Sequence, residues 1–159
     1  MVKIMDDYLI GEEYNNLKAS LESDLFPWYY NNQIVEEKNK LFYYQFVHIF
    51  YKDNNINSNS FNIVEPLIKK LKPYSLIRIK ANLNPITHEL IKSENHTDQR
   101  FKCKIAIYYV NNNNGYTMIE NKKVESKGNR MVLFNSDKKH YGTNSTNCNN
   151  RMVINFNYF

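Results

Sequence analysis

Ser75-Leu76-Ile77-Arg78-Ile79-Lys80-Ala81-Asn82-Leu83 is the stretch at which the chain changes from helical to strand periodicity. Ile77, Ile79 and Ala81 alternate with Arg78, Lys80 and Asn82, and side chains on a strand point alternately to its two faces. One face is therefore expected to be apolar and the other polar. Downstream, every periodic segment is short: Lys102 to Val110, Tyr116 to Ile119, Met131 to Phe134 and Arg151 to Phe159. Asn111-Asn112-Asn113-Asn114-Gly115 reads as a hairpin turn between the first two, because Asn and Gly tolerate positive φ. Many short strands separated by turns predict a sandwich or barrel.

Upstream the pattern differs. Ile10, Tyr14, Leu17 and Leu21 recur at helical spacing and predict a helix from Gly11 to Ser23. Phe26 to Tyr30 is extended, Glu36 to Lys40 is a charged turn, and Leu41 to Tyr51 is strand-like. Lys52 to Ser60 is a polar loop. Phe61 to Lys72 predicts a second helix, with Ile63, Val64, Leu67, Ile68 and Leu71 on one stripe and Pro66 near its first turn. No linker divides the chain. The expectation is one domain over 1–159, mainly β, with helical and strand cover over 1–74 and a β core over 75–159.

The totals agree with a folded domain. The 159 residues are 42% hydrophobic and 14% aromatic, enough for a core and unlike a disordered chain. With 4 glycines and 4 prolines, asparagine does most of the turn work. The Asn- and Lys-heavy composition is what an AT-rich genome produces, such as that of a marine bacterium or its phage. No apolar run could span a bilayer, and Met-Val-Lys-Ile-Met-Asp-Asp lacks a signal peptide's apolar core, so a cytoplasmic protein is expected. The net charge of +5 is modest, and Lys69, Lys70 and Lys72 read as a solvated helix end rather than a nucleic-acid footprint. Cys103 reads as a small buried residue, His48 as a packed strand histidine and His88 as a loop residue.

The chemistry concentrates in Glu94-Asn95-His96-Thr97-Asp98-Gln99. On an extended strand His96 and Asp98 would point the same way. A third ligand, His140, lies in Asp137-Lys138-Lys139-His140-Tyr141-Gly142 between two hydrophobic runs. Two imidazoles and one carboxylate on one face of a metal leave positions open, the arrangement suited to non-haem Fe(II). The pair alone reads equally as a surface turn built on Asn95, Thr97 and Asp98.

The order of segments around this pair resembles that of the 2-oxoglutarate- and Fe(II)-dependent oxygenases, particularly their prolyl-hydroxylase-like branch. The likeness runs from about Ile77 to Tyr158: Arg78 to Leu83, His96-Thr97-Asp98, Ile107 to Asn111, Gly115-Tyr116-Thr117, Asn129 to Ser136, His140, then Arg151. The resemblance implies a double-stranded β-helix, a jelly roll of two facing sheets. It implies that His96, Asp98 and His140 bind the iron and that Arg151 pairs with the distal carboxylate of 2-oxoglutarate. A guanidinium suits that task because it meets a planar carboxylate bidentately. By the same resemblance Tyr109 and Thr117 line that carboxylate's pocket, and Asn82 stands near the metal-bound end. The implied reaction uses O2 and 2-oxoglutarate to hydroxylate an unactivated C–H bond, releasing succinate and CO2. Ile105, Ile107, Val132, Phe134 and Ile154 are expected to form the apolar cage.

The sequence departs from the family in three places. Asn-Gly-Tyr precedes Thr117 where relatives carry paired glycines and an acid, and the segment from Asn82 to His96 is longer, forming part of an entrance. Asparagine-rich loops replace glycine-rich substrate loops. The branch favours a protein or peptide residue as substrate. A small molecule or nucleobase is the alternative within the class, and a non-enzymatic jelly-roll binding module the alternative outside it.

Overall fold

The computed structural model describes residues 1–32 and 44–159. The charged turn expected over 36–40 and the start of the strand expected from Leu41 lie outside the described residues. In chain order the elements are β1 (Lys3–Met5), α1 (Gly11–Glu22), β2 (Tyr29–Asn31), β3 (Gln45–Lys52), β4 (Asn55–Ile56), a 3-10 turn (Phe61–Val64), α2 (Glu65–Leu71) and β5 (Leu76–Pro85). They continue with β6 (Lys104–Tyr109), β7 (Tyr116–Ile119), β8 (Lys122–Glu125), β9 (Arg130–Asn135), β10 (His140–Gly142) and β11 (Asn150–Tyr158).

The strands form two antiparallel sheets. The larger runs β1-β9-β6-β11-β5-β3-β2, with β4 paired to β3, and the smaller runs β10-β7-β8. Both faces of the larger sheet are covered, as β11 makes plain. Met152, Ile154, Phe156 and Tyr158 enter a core shared with Leu17 and Leu21 of α1 and Leu67 of α2. Val153 points the other way, into a core between the sheets with Ile105, Ile107 and Tyr109 of β6, Ile119 of β7 and Val124 of β8. The architecture is the mainly β jelly roll with helical cover that the sequence predicts. No helix among the described residues is long and apolar enough to cross a membrane.

Several local expectations are corrected. The second helix is broken, because Pro66 has no N–H and its ring would strike the Asn62 carbonyl in a continuous α-helix. The chain makes a 3-10 turn over Phe61–Val64 and starts α2 at Glu65 instead, with Pro66 in the first turn. Ile10 precedes α1 and is exposed rather than part of its apolar stripe. Ile77 does not share a face with Ile79 and Ala81. The β5–β11 register shifts at that end of the ladder, and Ile77 packs into the inter-sheet core. Ile154 lies in the helix-side core, so Val153 replaces it between the sheets.

Asn111 to Gly115 is not a hairpin with positive φ. It carries the chain from the larger sheet (β6) to the smaller (β7), and none of its residues has positive φ. Its asparagine side chains hold the crossing instead. Asn111 Nδ2 donates to the Asn150 carbonyl at 2.9 Å, Asn111 Oδ1 accepts from the Met152 N–H at 3.0 Å, and Asn113 Oδ1 accepts from the Gly115 N–H at 3.0 Å. Positive φ occurs in the true hairpins: at Asp53 and Asn54 between β3 and β4, and at Glu120 between β7 and β8.

Candidate metal centre and its cavity

His96 and Asp98 do not sit on a strand. A single antiparallel bridge ties His96 to His140 at the edge of the small sheet. The His96 N–H donates to the His140 carbonyl at 3.0 Å, and the His140 N–H donates back at 2.9 Å. Residues paired this way put both side chains on the same side, and the two rings are 4.7 Å apart. Asp98 turns its carboxylate toward both, with Oδ1 3.6 Å from His96 Nε2 and 3.6 Å from His140 Nε2. One ligand atom from each of the three residues lies within 4.8 Å of the other two.

The surroundings orient these groups. His96 Nδ1 is 2.9 Å from the Glu94 carbonyl and His140 Nδ1 is 3.2 Å from the Lys138 carbonyl. A carbonyl only accepts, so this network assigns the proton to Nδ1 on each ring and leaves the Nε2 lone pair facing inward. Asn157 Nδ2 donates to Asp98 Oδ2 at 2.9 Å, and Gln99 Nε2 donates to Asn157 Oδ1 at 3.4 Å. Burial opposes a charge on Asp98, but the facing His140 and His96 rings, with the Arg78 guanidinium beyond them, outweigh it and hold the carboxyl well below the usual carboxylate range. Two imidazole nitrogens and a carboxylate oxygen form a donor set suited to a divalent first-row metal.

A cavity of about 120 Å³ opens beside this cluster. Its floor is the shared face of β5 and β11, whose paired rows are Arg151 with Asn84, Val153 with Asn82, Asn155 with Lys80, and Asn157 with Arg78. Asp98 stands at the Asn157/Arg78 end, and Arg151 at the other. Arg151 is 3% exposed. Its Nε donates to Ser126 Oγ at 2.8 Å, its Nη2 donates to Thr117 Oγ1 at 2.9 Å, and its Cζ lies 5.6 Å from the centre of the Tyr109 ring. Burial pushes the Arg151 pKa down and Tyr109 opposes it. Among the described residues no carboxylate acts on this guanidinium. Gly115 makes room for it, since a Cβ there would collide with the Asn144 carbonyl oxygen and lie 2.6 Å from Arg151 Cδ.

Among the described residues four buried side-chain polar atoms lack a hydrogen-bond partner: Arg78 Nε, Asn82 Oδ1, Tyr109 Oη and Asn155 Oδ1. Arg78, Asn82 and Asn155 line the cavity, and Tyr109 packs on Arg151. Leaving such a group unpaired costs about 1–3 kcal/mol, so this concentration marks a site shaped for a polar ligand. An acid with a carboxylate at one end and metal-binding oxygens at the other suits both ends of the cavity.

Of the residues singled out by sequence, His96, Asp98 and His140 converge, while Arg151, Tyr109 and Thr117 form a second cluster with Asn82 on the floor between. Pro85, Ile86, Thr87, Ile91 and Ser93, from the long segment before His96, line the cavity as an entrance would. His48 is a packed residue, its Nδ1 2.7 Å from the Pro27 carbonyl and its Nε2 2.7 Å from Ser58 Oγ. Sequence reasoning gave no site role to Arg78, Lys80, Asn157, Ser126 or Gly115. Strand parity was the available signal for the first three, because Arg78 and Lys80 alternate with Ile79 and Ala81 and Asn157 shares parity with Arg151. Burial, with Arg78 adding to it, pushes the Lys80 ammonium down to about 8.

Neither a family model nor a curated protein sequence matches the chain. Solved structures do match it in fold. One is a prolyl hydroxylase from Trichoplax adhaerens in complex with a hypoxia inducible factor oxygen degradation domain peptide fragment. It superposes with a TM-score of 0.70 at 15% identity, over 99% of this chain and 83% of that one. A 2OG-Fe(II) oxygenase family oxidoreductase from Burkholderia pseudomallei gives 0.65 at 8% identity, over 99% and 84%. A Pseudomonas putida prolyl-4-hydroxylase gives 0.57 at 9% identity, over 99% and 91%.

Proposed function

We propose that this chain, which has the prolyl-hydroxylase-like fold of the 2OG-Fe(II) oxygenases, is an Fe(II)- and 2-oxoglutarate-dependent dioxygenase. It would hydroxylate an unactivated C–H bond and release succinate and CO2. One observation carries the reading: His96, Asp98 and His140 converge at one end of a cavity whose other end holds a buried guanidinium with no carboxylate partner among the described residues. The whole of 1–159 is read as a single oxygenase domain, with 75–159 as its catalytic core.

The roles follow from donor chemistry. His96 and His140 would bind Fe(II) through Nε2 and Asp98 through a carboxylate oxygen. The Nδ1–H bonds to the Glu94 and Lys138 carbonyls keep both rings aimed. Arg151 would take the distal carboxylate of 2-oxoglutarate as a charge-assisted pair, with Thr117 steadying the guanidinium. The unpaired Tyr109 hydroxyl is available to donate to the same carboxylate, and Asn82 would stand near the metal-bound end of 2-oxoglutarate. Iron, 2-oxoglutarate and O2 supply the oxidising chemistry; the protein supplies position and a dry enclosure. Ile107 and Val153 line the cavity between its two ends, with the rest of the inter-sheet core behind them, and limit the entry of water.

A protein or peptide residue is the favoured substrate class, since a neighbour in fold is a prolyl hydroxylase bound to a peptide. The test is iron-dependent conversion of 2-oxoglutarate to succinate, monitored by NMR with a candidate peptide mixture and without it. Wild type should convert it, slowly even when uncoupled, and His96→Ala and Asp98→Ala should not. Succinate production that survives either substitution would end this assignment of the metal ligands, and none from wild type would favour a binding module.

A further inference from the structure

The cavity holds more positive charge than the proposed iron and 2-oxoglutarate can use. Among the described residues that line it, Asp98 is the carboxylate and Arg78, Lys80 and Arg151 are the cations. That leaves two surplus positive charges. A divalent ion would add two more, and a 2-oxoglutarate dianion would cancel two, so the loaded cavity keeps the surplus. Burying uncompensated charge is among the costliest arrangements in a protein, and it persists where a ligand supplies the counter-charge.

The surplus has a definite place. Arg78 and Lys80 sit two residues apart on β5, opposite Asn157 and Asn155, at the metal end of the floor and away from Arg151. Arg78 Nη2 reaches Asp98 Oδ2 only at 3.6 Å, and its Nε has no partner. Lys80 makes no hydrogen bond and no ion pair among the described residues, although burial and Arg78 already act against its charge. Asn155 Oδ1, in the Lys80 row, is unpaired as well. Two cations with free donors beside a metal centre make an anion seat.

We infer that Arg78 and Lys80 seat an anionic group of the primary substrate, so that the C–H bond attacked belongs to a carboxylic acid rather than a neutral side chain. The acid is either an acidic residue in a peptide or a small free acid, which present the same chemistry to the seat. This rests on the oxygenase reading above. It narrows that reading, because it places a carboxylate within a few bonds of the carbon oxidised.

The test uses the full chain loaded anaerobically with Mn(II) and 2-oxoglutarate, and titration calorimetry as the readout. The probes are N-acetylated, C-methylamidated glutamate and aspartate, the free acids glutarate and malate, and the amide counterpart of each. At least one acid should bind wild type about tenfold or more tighter than its amide, since a site built around a charge rejects the uncharged analogue. Lys80→Met should lose that preference while its 2-oxoglutarate affinity stays within about twofold of wild type. Lys80→Arg should keep it, which separates charge recognition from a folding defect. Peptide acids binding over free acids would identify a peptide substrate, and the reverse a small one; both support the inference. Equal binding of acids and amides overturns it, as does a tenfold loss of 2-oxoglutarate binding in Lys80→Met, which would assign the lysine to the cosubstrate. Failure of wild type to bind 2-oxoglutarate at all would instead bring down the oxygenase reading beneath it.

Discussion

Asn157, fully buried on β11, donates its side-chain N–H to Asp98 Oδ2 at 2.9 Å and so fixes the direction in which Oδ1 faces His96 and His140. A residue on the central strand thereby orients a carboxylate on a loop. Asn157→Ala should leave the fold intact and weaken Mn(II) or Zn(II) binding by about 10–100-fold, the usual effect of removing an outer partner of a ligand. Metal titration monitored by calorimetry checks it. An unchanged dissociation constant would mean that Asp98 holds its orientation without this bond.

Arg151 should respond in opposite directions to two measurements. Its guanidinium is buried without a carboxylate partner among the described residues, so Arg151→Met should be neutral or stabilising in ligand-free protein, as replacement of buried charge often is. The same substitution should cost 2-oxoglutarate binding about 1.5–3 kcal/mol, the worth of a hydrogen bond to a charged group. Urea denaturation and ligand titration on one preparation give both answers. Strong destabilisation without loss of binding would make Arg151 a structural residue.

Gly115 is required by crowding rather than by φ. With Cβ added it would strike the Asn144 carbonyl and press on Arg151 Cδ, so Gly115→Ala should cost about 1–3 kcal/mol, as overpacking does. Because the crowding falls on Arg151, 2-oxoglutarate affinity should fall as well. A variant that loses stability and keeps full affinity would show that only the Asn144 side gives way.

Much of the fold and the site is legible in the sequence, and the failures share a physical cause. The alternation of Arg78, Lys80 and Asn82 with Ile79 and Ala81 marks β5, and His96, Asp98, His140 and Arg151, picked out by their order, meet at one cavity, the candidate site. Alternation says little on a strand covered on both faces. Val153 and Ile154 are both apolar and both buried, and only Arg151 being on the Val153 parity tells which looks into the cavity. The asparagine run misleads because turn propensity names residues that can bend a chain, not the sheet the chain bends toward. The His96/Asp98 pair lies off any strand because a single bridge from His96 to His140 replaces a ladder.

Strong acid should loosen the anchoring of the first strand. Asp6, just after β1, accepts from Arg130 Nε at 2.6 Å, Arg130 Nη2 at 3.1 Å and Lys127 Nζ at 3.0 Å. Those hydrogen bonds, Arg130's first, lower its pKa from 3.8 to about 2. A carboxyl with a depressed folded pKa adds stability above its unfolded pKa and loses it as the pH falls through the folded one. The contribution should therefore be complete above about pH 4 and gone below about pH 2. The carboxylate is 37% exposed, so after solvent screening it is worth about 1 kcal/mol or less. Asp6→Asn should lower the urea midpoint at pH 6 and match wild type near pH 2; a gap that persists in acid would trace the effect to packing.

The strand order has a consequence for how the protein comes into being. β11 comes after every other strand in the sequence and yet lies between β6 and β5, in the interior of the larger sheet. Until Asn150–Tyr158 has left the ribosome, β5 and β6 have no neighbour to join them, and Arg151 and Asn157 do not yet exist to complete either end of the cavity. The joining of the larger sheet therefore waits for this strand, and a messenger cut short before it yields neither a sheet that holds together nor a cavity with both its ends.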